Sequence, residues 1–452
     1  MSTSIALPSL VDLGRAIRAG DTTSEAATER CLAVIRDRDP SINAFIRVMA
    51  DEAREAARFA DGELRAGRDR GPLHGVPISI KDILDIAGLP TTAASHVRRQ
   101  HVASRDATVI ARLRDAGAVM VGKTNLHEFA LGTTNEESAY GPVHHPLDAS
   151  RSPGGSSGGS AASVLAGMAY ASIGTDTGGS IRIPSAACGL VGLKPGFREV
   201  PTRGVVPLST SLDHVGPLCA TVADAAVIFR IIADASAVEG PPAPGQARAS
   251  RLGVPRRYFL DLLDDDVATV FDAACDRLTA AGVVLDDVSI PHASEIPAAY
   301  LHIALTEAAA FHAKTLESRP DDYTSTVRVR LEAGRYVLAE DYIRALQCRD
   351  VLRAEVSAAL AGRDGLLLPT LAVPATPLGA ATVRVSGNDE PVRNVTLRLT
   401  QLFNLTGHSA ITVPCGATRD ELPVGAQLVG MRTSTLLQTA AVLEPQLRGT
   451  LA

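Results

Sequence analysis

Two kinds of hydrophobic pattern alternate along the chain. In residues 75–86 apolar side chains recur with a period near two, which predicts a strand with Val76, Ile78 and Ile80 on one face. Elsewhere apolar residues recur every three to four positions, as on one face of a helix. Helices are expected within residues 8–70 and over 106–116, 221–233, 267–281, 296–317 and 338–360; strands are expected over 75–86, 118–121, 251–255, 283–288, 365–369, 410–414 and 424–429.

Turn and capping residues set several boundaries. The first long helix should begin at Ser24 and end at Asp39-Pro40, and Thr221 with Asp224 forms a capping box that opens a later helix. Residues 236–250 are rich in Pro, Gly and Ala and are expected to form a loop. Helices alternating with short apolar strands indicate an α/β protein with a large, twisted, mixed and mostly parallel β-sheet, covered by helices on both faces.

One charged residue interrupts the most regular of these strands. Lys81 lies within the alternating segment, on the face opposite Ile78 and Ile80, and has apolar residues on both sides in sequence. A lysine is usually a solvated surface group and is rarely carried into a core unless a partner or a function requires it. Lys81 is therefore a candidate functional residue.

Two Gly/Ser clusters flank one apolar segment in the middle of the chain. The clusters span residues 151–160 and 174–184, and residues 161–173 between them are mostly apolar. A flexible linker is the usual interpretation of such composition, but the buried character of the intervening segment and the lack of charge or proline repeats argue against it. Small residues here let the backbone turn sharply and leave its N–H groups free to bind an anion.

These clusters resemble the signature of a known enzyme family. Residues 154–160, followed by residues 174–189, are similar to the double Gly/Ser motif of the amidase signature family. A lysine after a Gly-Val-Pro sequence, in residues 75–82, also matches. Further matches lie at residues 122–129, 192–195, 414 and 422–425. The resemblance covers almost the whole chain and implies the amidase signature fold.

The resemblance implies a Ser–cis-Ser–Lys triad. Ser180 would be the nucleophile, Ser156 the bridging serine on a cis peptide, and Lys81 the base. A serine hydroxyl is a weak nucleophile until a base takes its proton. A lysine is a base only when neutral, and burial can lower its pKa by up to about 3–5 units. Ser156 would relay the proton, since a hydroxyl both accepts and donates.

The remaining signature residues would support the nucleophile. Thr177, Gly178, Gly179 and Ser180 would form the oxyanion hole, because glycines let successive N–H groups face one concavity. Ser157, Asp176 and Arg182 also match the family pattern; Asp176 is expected to be structural and Arg182 to hold the loop.

Two other motifs match letter for letter but not in context. Residues 117–124 fit the phosphate-loop formula G-x-x-x-x-G-K-[ST], but the residues between the glycines are themselves the predicted strand, not a cradle after it. Residues 155–159 fit the nucleophile-elbow formula G-x-S-x-G, with Ser157 at its centre and His408 as the available histidine. Short formulas arise easily by chance in Gly/Ser-rich sequence.

Composition narrows the class further. The 452 residues are 46% hydrophobic and 21% charged, with a net charge of −6, which suits a globular protein and argues against nucleic acid as a partner. No apolar run reaches the roughly 18 residues that a membrane span needs, and the first residues do not resemble a signal peptide, so a cytoplasmic location is expected. The six cysteines are scattered and should be buried thiols. No cofactor and no metal are expected.

The substrate is the least determined feature. The resemblance favours a stand-alone hydrolase of small to medium amides, with aryl esters, anilides and carbamates (urethanes) as related acyl compounds. The alternatives are the glutaminase subunit of a tRNA-dependent amidotransferase and a catalytically inactive scaffold or binding subunit. Arg328 and Arg330 are candidates to bind a carboxylate, although solvated arginines are commoner. A monomer or homodimer is expected.

The domain organisation is predicted to be simple. Residues 1–452 are expected to form one amidase domain, with a catalytic core over about residues 70–235. Residues of about 240–400 would form a more variable surface over the active site.

Overall fold

A computed structural model describes residues 8–238 and 251–449. Within these residues, eleven strands form one sheet in the order β1-β3-β2-β4-β6-β5-β12-β13-β9-β7-β8. A separate two-stranded hairpin is made of β10 and β11. The strands are β1 (Phe45–Val48), β2 (Pro77–Lys81), β3 (Val119–Thr124), β4 (Ala171–Asp176), β5 (Val191–Lys194), β6 (His214–Cys219), β7 (Arg251–Pro255), β8 (Val284–Val288), β9 (Gly365–Pro369), β10 (Thr382–Val385), β11 (Asn388–Pro391), β12 (Ser409–Ala417) and β13 (Pro423–Gly430).

Helices pack against this sheet and supply the other half of its core. Their apolar faces, for example Leu10, Leu13 and Ile17 in the first helix, are buried in the same core cluster as the strand residues. The helices are α1 (Leu10–Ala19), α2 (Ser24–Ile42), α3 (Ala50–Arg65), α4 (Thr108–Asp115), α5 (Gly158–Leu165), α6 (Arg182–Ala187), α7 (Val222–Ile232), α8 (Asp265–Ala280), α9 (Ile296–Ser318), α10 (Ser325–Gly334), α11 (Ala339–Leu360), α12 (Val392–Leu397), α13 (Gln401–Thr406) and α14 (Thr433–Arg448).

The predicted α/β class with a large mixed sheet and covering helices is confirmed. Parallel pairing falls into two groups, β3-β2-β4 and β9-β7-β8. Between the two groups, and at the β1 edge, the neighbouring strands pair antiparallel. The capping box at Thr221 and Asp224 is present at the start of α7.

Some boundaries differ from the prediction. The first long helix does not end at Asp39-Pro40 but continues to Ile42, and Asn43 ends it in the left-handed conformation while donating its N–H to the Asp39 carbonyl. Pro40 therefore lies inside the last turn of the helix. The elements that were not predicted are strands β1, β4, β5 and β6, the hairpin, and helices α5, α6, α10 and α12 to α14. The predicted loop over 236–250 lies largely outside the described residues.

The sheet brings the ends of several strands to one edge. Strands β2 and β4 are parallel neighbours, so Lys81 and Asp176 lie at the same edge. Strand β6 is antiparallel to β4 and places His214 opposite Asp176. Strand β5, antiparallel to β6, ends at this edge with Lys194. Polar residues of distant segments therefore converge where these strands end.

Two global expectations can be compared with the structure. All six cysteines are free thiols; Cys31, Cys188, Cys219 and Cys415 are buried, whereas Cys275 and Cys348 are partly exposed. In the part of the chain that the structure describes, no helix combines the length and the apolar character needed to cross a membrane.

Candidate active site

Lys81 lies at the centre of a buried polar site. Its side chain is 0% exposed, and its Nζ donates hydrogen bonds to Ser156 Oγ and to Thr175 Oγ1, both at 2.8 Å. The register of β2 against β4 explains the second contact, because Ile80 pairs with Ile173 and Thr175 lies two residues further on. Lys81 makes no ion pair with a carboxylate among the described residues.

Burial changes the basicity of this lysine. The loss of hydration lowers the pKa of Lys81 to about 7, and the negative charges of Asp176 and Asp213 only partly oppose this shift. A substantial fraction of Lys81 is therefore neutral at neutral pH. A neutral amine can accept a proton from the hydroxyl that it contacts.

Ser156 is held between two segments of the site. The Gly155–Ser156 peptide bond is cis, and the carbonyl of Ser156 accepts a hydrogen bond from the backbone N–H of His127. Helix α5 begins two residues later at Gly158. Gly159 must be a glycine, because a Cβ there would lie 2.4 Å from the carbonyl oxygen of Asn125. The close approach of these backbones fixes where Ser156 lies.

Ser180 is the member of the predicted triad that reaches solvent. It is 5% exposed, whereas Lys81 and Ser156 are both 0% exposed. The Ser180 carbonyl accepts a hydrogen bond from the N–H of Ser157 at 3.3 Å, which joins the two Gly/Ser clusters. The structure thus brings the segments of Lys81, Ser156 and Ser180 together.

The loop from Thr177 to Gly179 precedes Ser180 and is held from several sides. Thr177 Oγ1 donates to Asp213 Oδ1 at 2.6 Å, and Thr400 Oγ1 donates to the Gly178 carbonyl at 2.6 Å. Gly179 has φ of 141°, which favours glycine, and a Cβ there would lie 2.3 Å from Thr400 Oγ1. We call residues 177–179 the oxyanion loop, after the role that the family resemblance implies for them.

Asp176 and Arg182 form a fully buried ion pair behind the oxyanion loop. Arg182 Nη2 lies 2.9 Å from Asp176 Oδ1, and both side chains are 0% exposed. Asp176 also accepts from the N–H of Ile181, and burial is outweighed by the Arg182 charge, so the pKa of Asp176 lies well below its usual range. The remaining donors of Arg182 reach Thr400, Asn404 and Gln427. This network anchors the turn that carries Ser180.

The two coincidental motifs do not form the sites that their formulas describe. Ser157 Oγ donates to the Thr175 carbonyl, and His408 contacts Thr406 and Ser357 instead of Ser157. In the phosphate-loop formula, the residues between the glycines and Lys123 all lie in or beside strand β3, as argued from the sequence. Lys123 is buried and pairs with Asp82 at 2.7 Å.

Several residues of the site were not predicted from the sequence. Thr175 lies in the second Gly/Ser cluster but was not singled out. Asp213, which accepts from Thr177, and Tyr300, whose hydroxyl packs against Gly178, come from segments with no motif. His127 is 3% exposed, and neither of its ring nitrogens has a hydrogen-bond partner in the described structure. Burial, with the charges of Arg330, Arg393 and Lys81, lowers the pKa of His127 to about 3, so the ring is neutral.

The two candidate arginines of the sequence lie in different environments. Arg328 pairs with Asp321 and Glu332 at the surface. Arg330 is partly buried, donates to the Leu131 carbonyl at 2.7 Å, and has no carboxylate within ion-pairing distance among the described residues. Its positive charge contributes to the lowered pKa of His127. Arg330, but not Arg328, therefore faces the neighbourhood of the site.

Comparison with known proteins agrees with this fold. The Amidase family model matches residues 26–435, and the chain belongs to this family, the amidase signature hydrolases.

Individual relatives include both amidases and one component of an amidotransferase. The chain is 40% identical to the A subunit of glutamyl-tRNA(Gln) amidotransferase from Anaeromyxobacter sp. (strain K), over 97% of this chain and 96% of that protein. It is 39% identical to an amidase of Pseudomonas putida, over 91% and 90% of the two chains. A solved amidase structure superposes with a TM-score of 0.91 at 37% identity, covering 97% of this chain and 99% of the other.

Proposed function

We propose that the chain is a stand-alone serine hydrolase that cleaves the C–N bond of small to medium amides through an acyl-enzyme. The observation that carries this proposal is the hydrogen bond between the buried, partly neutral Lys81 and Ser156, beside the oxyanion loop. The catalytic roles are those that the family resemblance implies for Lys81, Ser156 and Ser180. No nucleic acid, cofactor or metal takes part in the proposed reaction.

The proposed reaction begins with two proton transfers. Neutral Lys81 accepts the proton of Ser156 while Ser156 accepts that of Ser180, and Ser180 Oγ bonds to the substrate carbonyl carbon. The carbonyl π electrons move to oxygen, and the N–H groups of the oxyanion loop and Ser180 stabilise that charge. The proton returns through Ser156 to the leaving nitrogen, the C–N bond breaks, and the amine departs.

Water completes the cycle by the same route. It gives a proton through Ser156 to Lys81, adds to the acyl carbon, and displaces Ser180, which regains its proton. Aryl esters, anilides and carbamates belong to the proposed substrate range, because each presents an acyl carbon with a leaving group to the same nucleophile.

A panel of amides, aryl esters, anilides and carbamates tests the proposal on the purified protein. Release of ammonia, amine and phenol would be measured for the wild type and for Ser180→Ala, which should abolish turnover. A fluorophosphonate probe should label Ser180, and Ser157→Ala is the matched control that keeps this labelling. Labelling of Ser157 in the wild type, or turnover by Ser180→Ala near the wild-type rate, would contradict the mechanism.

A second candidate function is the glutaminase subunit of a tRNA-dependent amidotransferase. The 40% identity to such a protein favours it, as does Arg330, whose positive charge acts on His127 and has no carboxylate partner among the described residues, as a substrate carboxylate would require. Glutamine hydrolysis would then exceed that of uncharged amides. Arg330→Gln should raise the KM for glutamine at least about tenfold, since a charged hydrogen bond is worth roughly 1.5–3 kcal/mol. The matched control Arg328→Gln should change it little.

We also propose that residues 1–452 form a single amidase domain, with the core at about 70–235 and the variable cover at about 240–400. Support comes from β12, which pairs with β5, and from the contacts of Arg182 with Asn404 and Gln427. A fragment ending near residue 240 should not fold cooperatively. A sharp, reversible thermal transition of that fragment would contradict this proposal.

A further inference from the structure

Helix α9 contacts the oxyanion loop region at two points on one face. Tyr300 and Glu307 are seven residues apart, so their side chains leave the helix in nearly the same direction. Tyr300 is 5% exposed. A Cβ built on Gly178 would lie 2.4 Å from the Tyr300 hydroxyl oxygen, so the phenol packs directly against the backbone of the oxyanion loop. Tyr300 thus makes the direct contact between helix α9 and the oxyanion loop.

Glu307 makes the second contact through a short loop of hydroxyl residues. Its carboxylate accepts from Ser209 Oγ at 2.7 Å, from Ser211 Oγ at 2.6 Å and from the Ser211 N–H at 3.0 Å. Tyr342 of helix α11 donates to the same carboxylate at 3.1 Å. Burial acts to raise the pKa of Glu307, but the hydrogen bonds from Ser211 and Ser209 outweigh it, so this pKa is lowered. Glu307 therefore remains an anion and an acceptor at neutral pH.

Asp213 connects the loop of residues 208–211, which contains these hydroxyl residues, to the oxyanion loop. Its Oδ2 accepts from the N–H groups of Leu208 and Ser209, at 3.0 and 3.1 Å, while its Oδ1 accepts from Thr177. Ser209 is therefore bound on its side chain by Glu307 and on its backbone by Asp213. Displacement of residues 208–211 would move Asp213 and, with it, Thr177.

We propose that Glu307 is a positioning residue for the oxyanion loop, acting through Ser209 and Asp213 on Thr177. This inference rests on the proposed function, since it assigns the loop its role in stabilising the tetrahedral intermediate. Glu307 does not touch the substrate in this proposal. Its loss should therefore weaken transition-state stabilisation while leaving ground-state binding largely intact.

Glu307→Gln is the primary test, because glutamine keeps the size of the side chain but replaces one acceptor oxygen with a donor nitrogen. We expect kcat to fall at least about tenfold, a smaller loss than the 10²–10³ that follows removal of an oxyanion donor itself. KM should stay within about twofold. The inhibition constant of a boronic acid, which forms a tetrahedral adduct on Ser180, should rise by the same factor as kcat falls.

Two further variants separate positioning from folding. Glu317→Gln, an exposed glutamate on the same helix that pairs with Arg335, is the matched control and should leave kcat, KM and boronate affinity unchanged. Tyr342→Phe removes one donor to Glu307 and should give a smaller kcat loss of the same kind. Circular dichroism melting would show whether each variant is folded at the assay temperature.

The outcomes distinguish this inference from the proposed function. An active wild type with unchanged kcat in Glu307→Gln would overturn the inference alone, as would equal changes in kcat and KM without a change in boronate affinity. If Glu307→Gln does not fold, normal kcat in Tyr342→Phe overturns it. If the wild type hydrolyses no amide, the proposed function fails. The rate of fluorophosphonate labelling of Ser180 then decides the inference, since slower labelling in the variant supports it and equal labelling overturns it.

Discussion

Lys81 and Lys123 are buried on neighbouring parallel strands, yet their surroundings differ in one respect. Each is 0% exposed and makes short hydrogen bonds through its Nζ. The partners of Lys81 are two hydroxyl groups, whereas Lys123 contacts the carboxylate of Asp82 at 2.7 Å as well as Thr91 and the Pro90 carbonyl. The kind of partner, and not burial, distinguishes the two lysines.

The difference determines what each lysine can do. A hydroxyl can accept from a protonated lysine and donate to a neutral one, so the Lys81–Ser156 contact survives proton transfer in either direction. An ionised carboxylate can only accept, so Asp82 favours the protonated form of Lys123 and opposes the lowering of its pKa by burial. One arrangement suits a base, and the other suits a structural ion pair.

The largest expected effect is the loss of activity when Lys81 is replaced. Lys81→Met should lower kcat/KM roughly 10²–10⁴-fold, the usual contribution of a general base. Ser180→Ala should lose at least as much, and Ser156→Ala somewhat less, because water can replace part of a relay. Steady-state kinetics on the best amide of the panel measures this loss. Since the three residues act as a unit, a double variant should lose little beyond its worse single variant.

The second expectation concerns stability and has opposite signs at the two positions. Lys123→Met leaves the buried Asp82 without its counter-ion and should lower the free energy of unfolding by about 3–5 kcal/mol. Lys81→Met removes a buried amine without stranding a carboxylate and should raise it. Because the pKa of Lys81 is about 7 when folded, this gain should be full below pH 7 and should shrink as pH rises towards the unfolded value of about 10.4.

Urea unfolding at several pH values measures both changes. Lys314→Met, at an exposed position of helix α9, is the matched control and should be nearly neutral. Equal destabilisation by Lys81→Met and Lys123→Met would remove the distinction drawn between them.

A third expectation is a pH profile. The kcat/KM of the wild type should rise with pH through about 7, as Lys81 loses its proton. The negative charge of Asp213 favours protonated Lys81, so Asp213→Asn should lower the pKa of Lys81 and move this limb to lower pH. The height of the plateau should also fall, because Thr177 loses part of its anchor. A limb that moves to higher pH would contradict the assigned electrostatics.

The smallest expected effect concerns the second hydroxyl partner. Thr175→Val keeps the shape of the side chain but removes one acceptor from protonated Lys81, which should shift the acid limb slightly to lower pH. The plateau of kcat/KM should change less than about tenfold, since a neutral hydrogen bond is worth roughly 0.5–1.5 kcal/mol. A loss as large as that of Lys81→Met would instead place Thr175 in the proton relay.

The parts of the fold that sequence could predict are those with local causes. Period-two alternation located β2, although the strand ends at Lys81 and not at residue 86 as predicted, and local capping chemistry located the start of α7. The end of α2 was wrong because proline was given more weight than the left-handed cap at Asn43. Strand β1 was missed because its four residues carry too short a pattern.

The candidate site also has a part that local sequence motifs predict and a part that they do not. Motifs identified the segments of Lys81, Ser156 and Ser180, which the sheet then brings together. The partners that surround them were unpredictable, because each depends on contacts between distant segments. Thr400 contacts Gly178, and Tyr300 packs on the same residue. No periodicity in the sequence predicts either contact. The candidate catalytic residues were therefore easier to predict from the sequence than the residues that position them.

The pairing of β5 with β12 has a consequence for how the protein is made. In sheet order, the six strands β1 to β6 lie on one side of the β5–β12 junction, and β7, β8, β9, β12 and β13 lie on the other. Until residues 409–417 leave the ribosome, β5 is an open strand edge, the kind of surface that pairs with other chains. Arg182 meanwhile lacks Asn404 and Gln427. We expect the nascent chain to be most prone to aggregation during this interval and to acquire hydrolytic competence only after residues 404–427 have been synthesised.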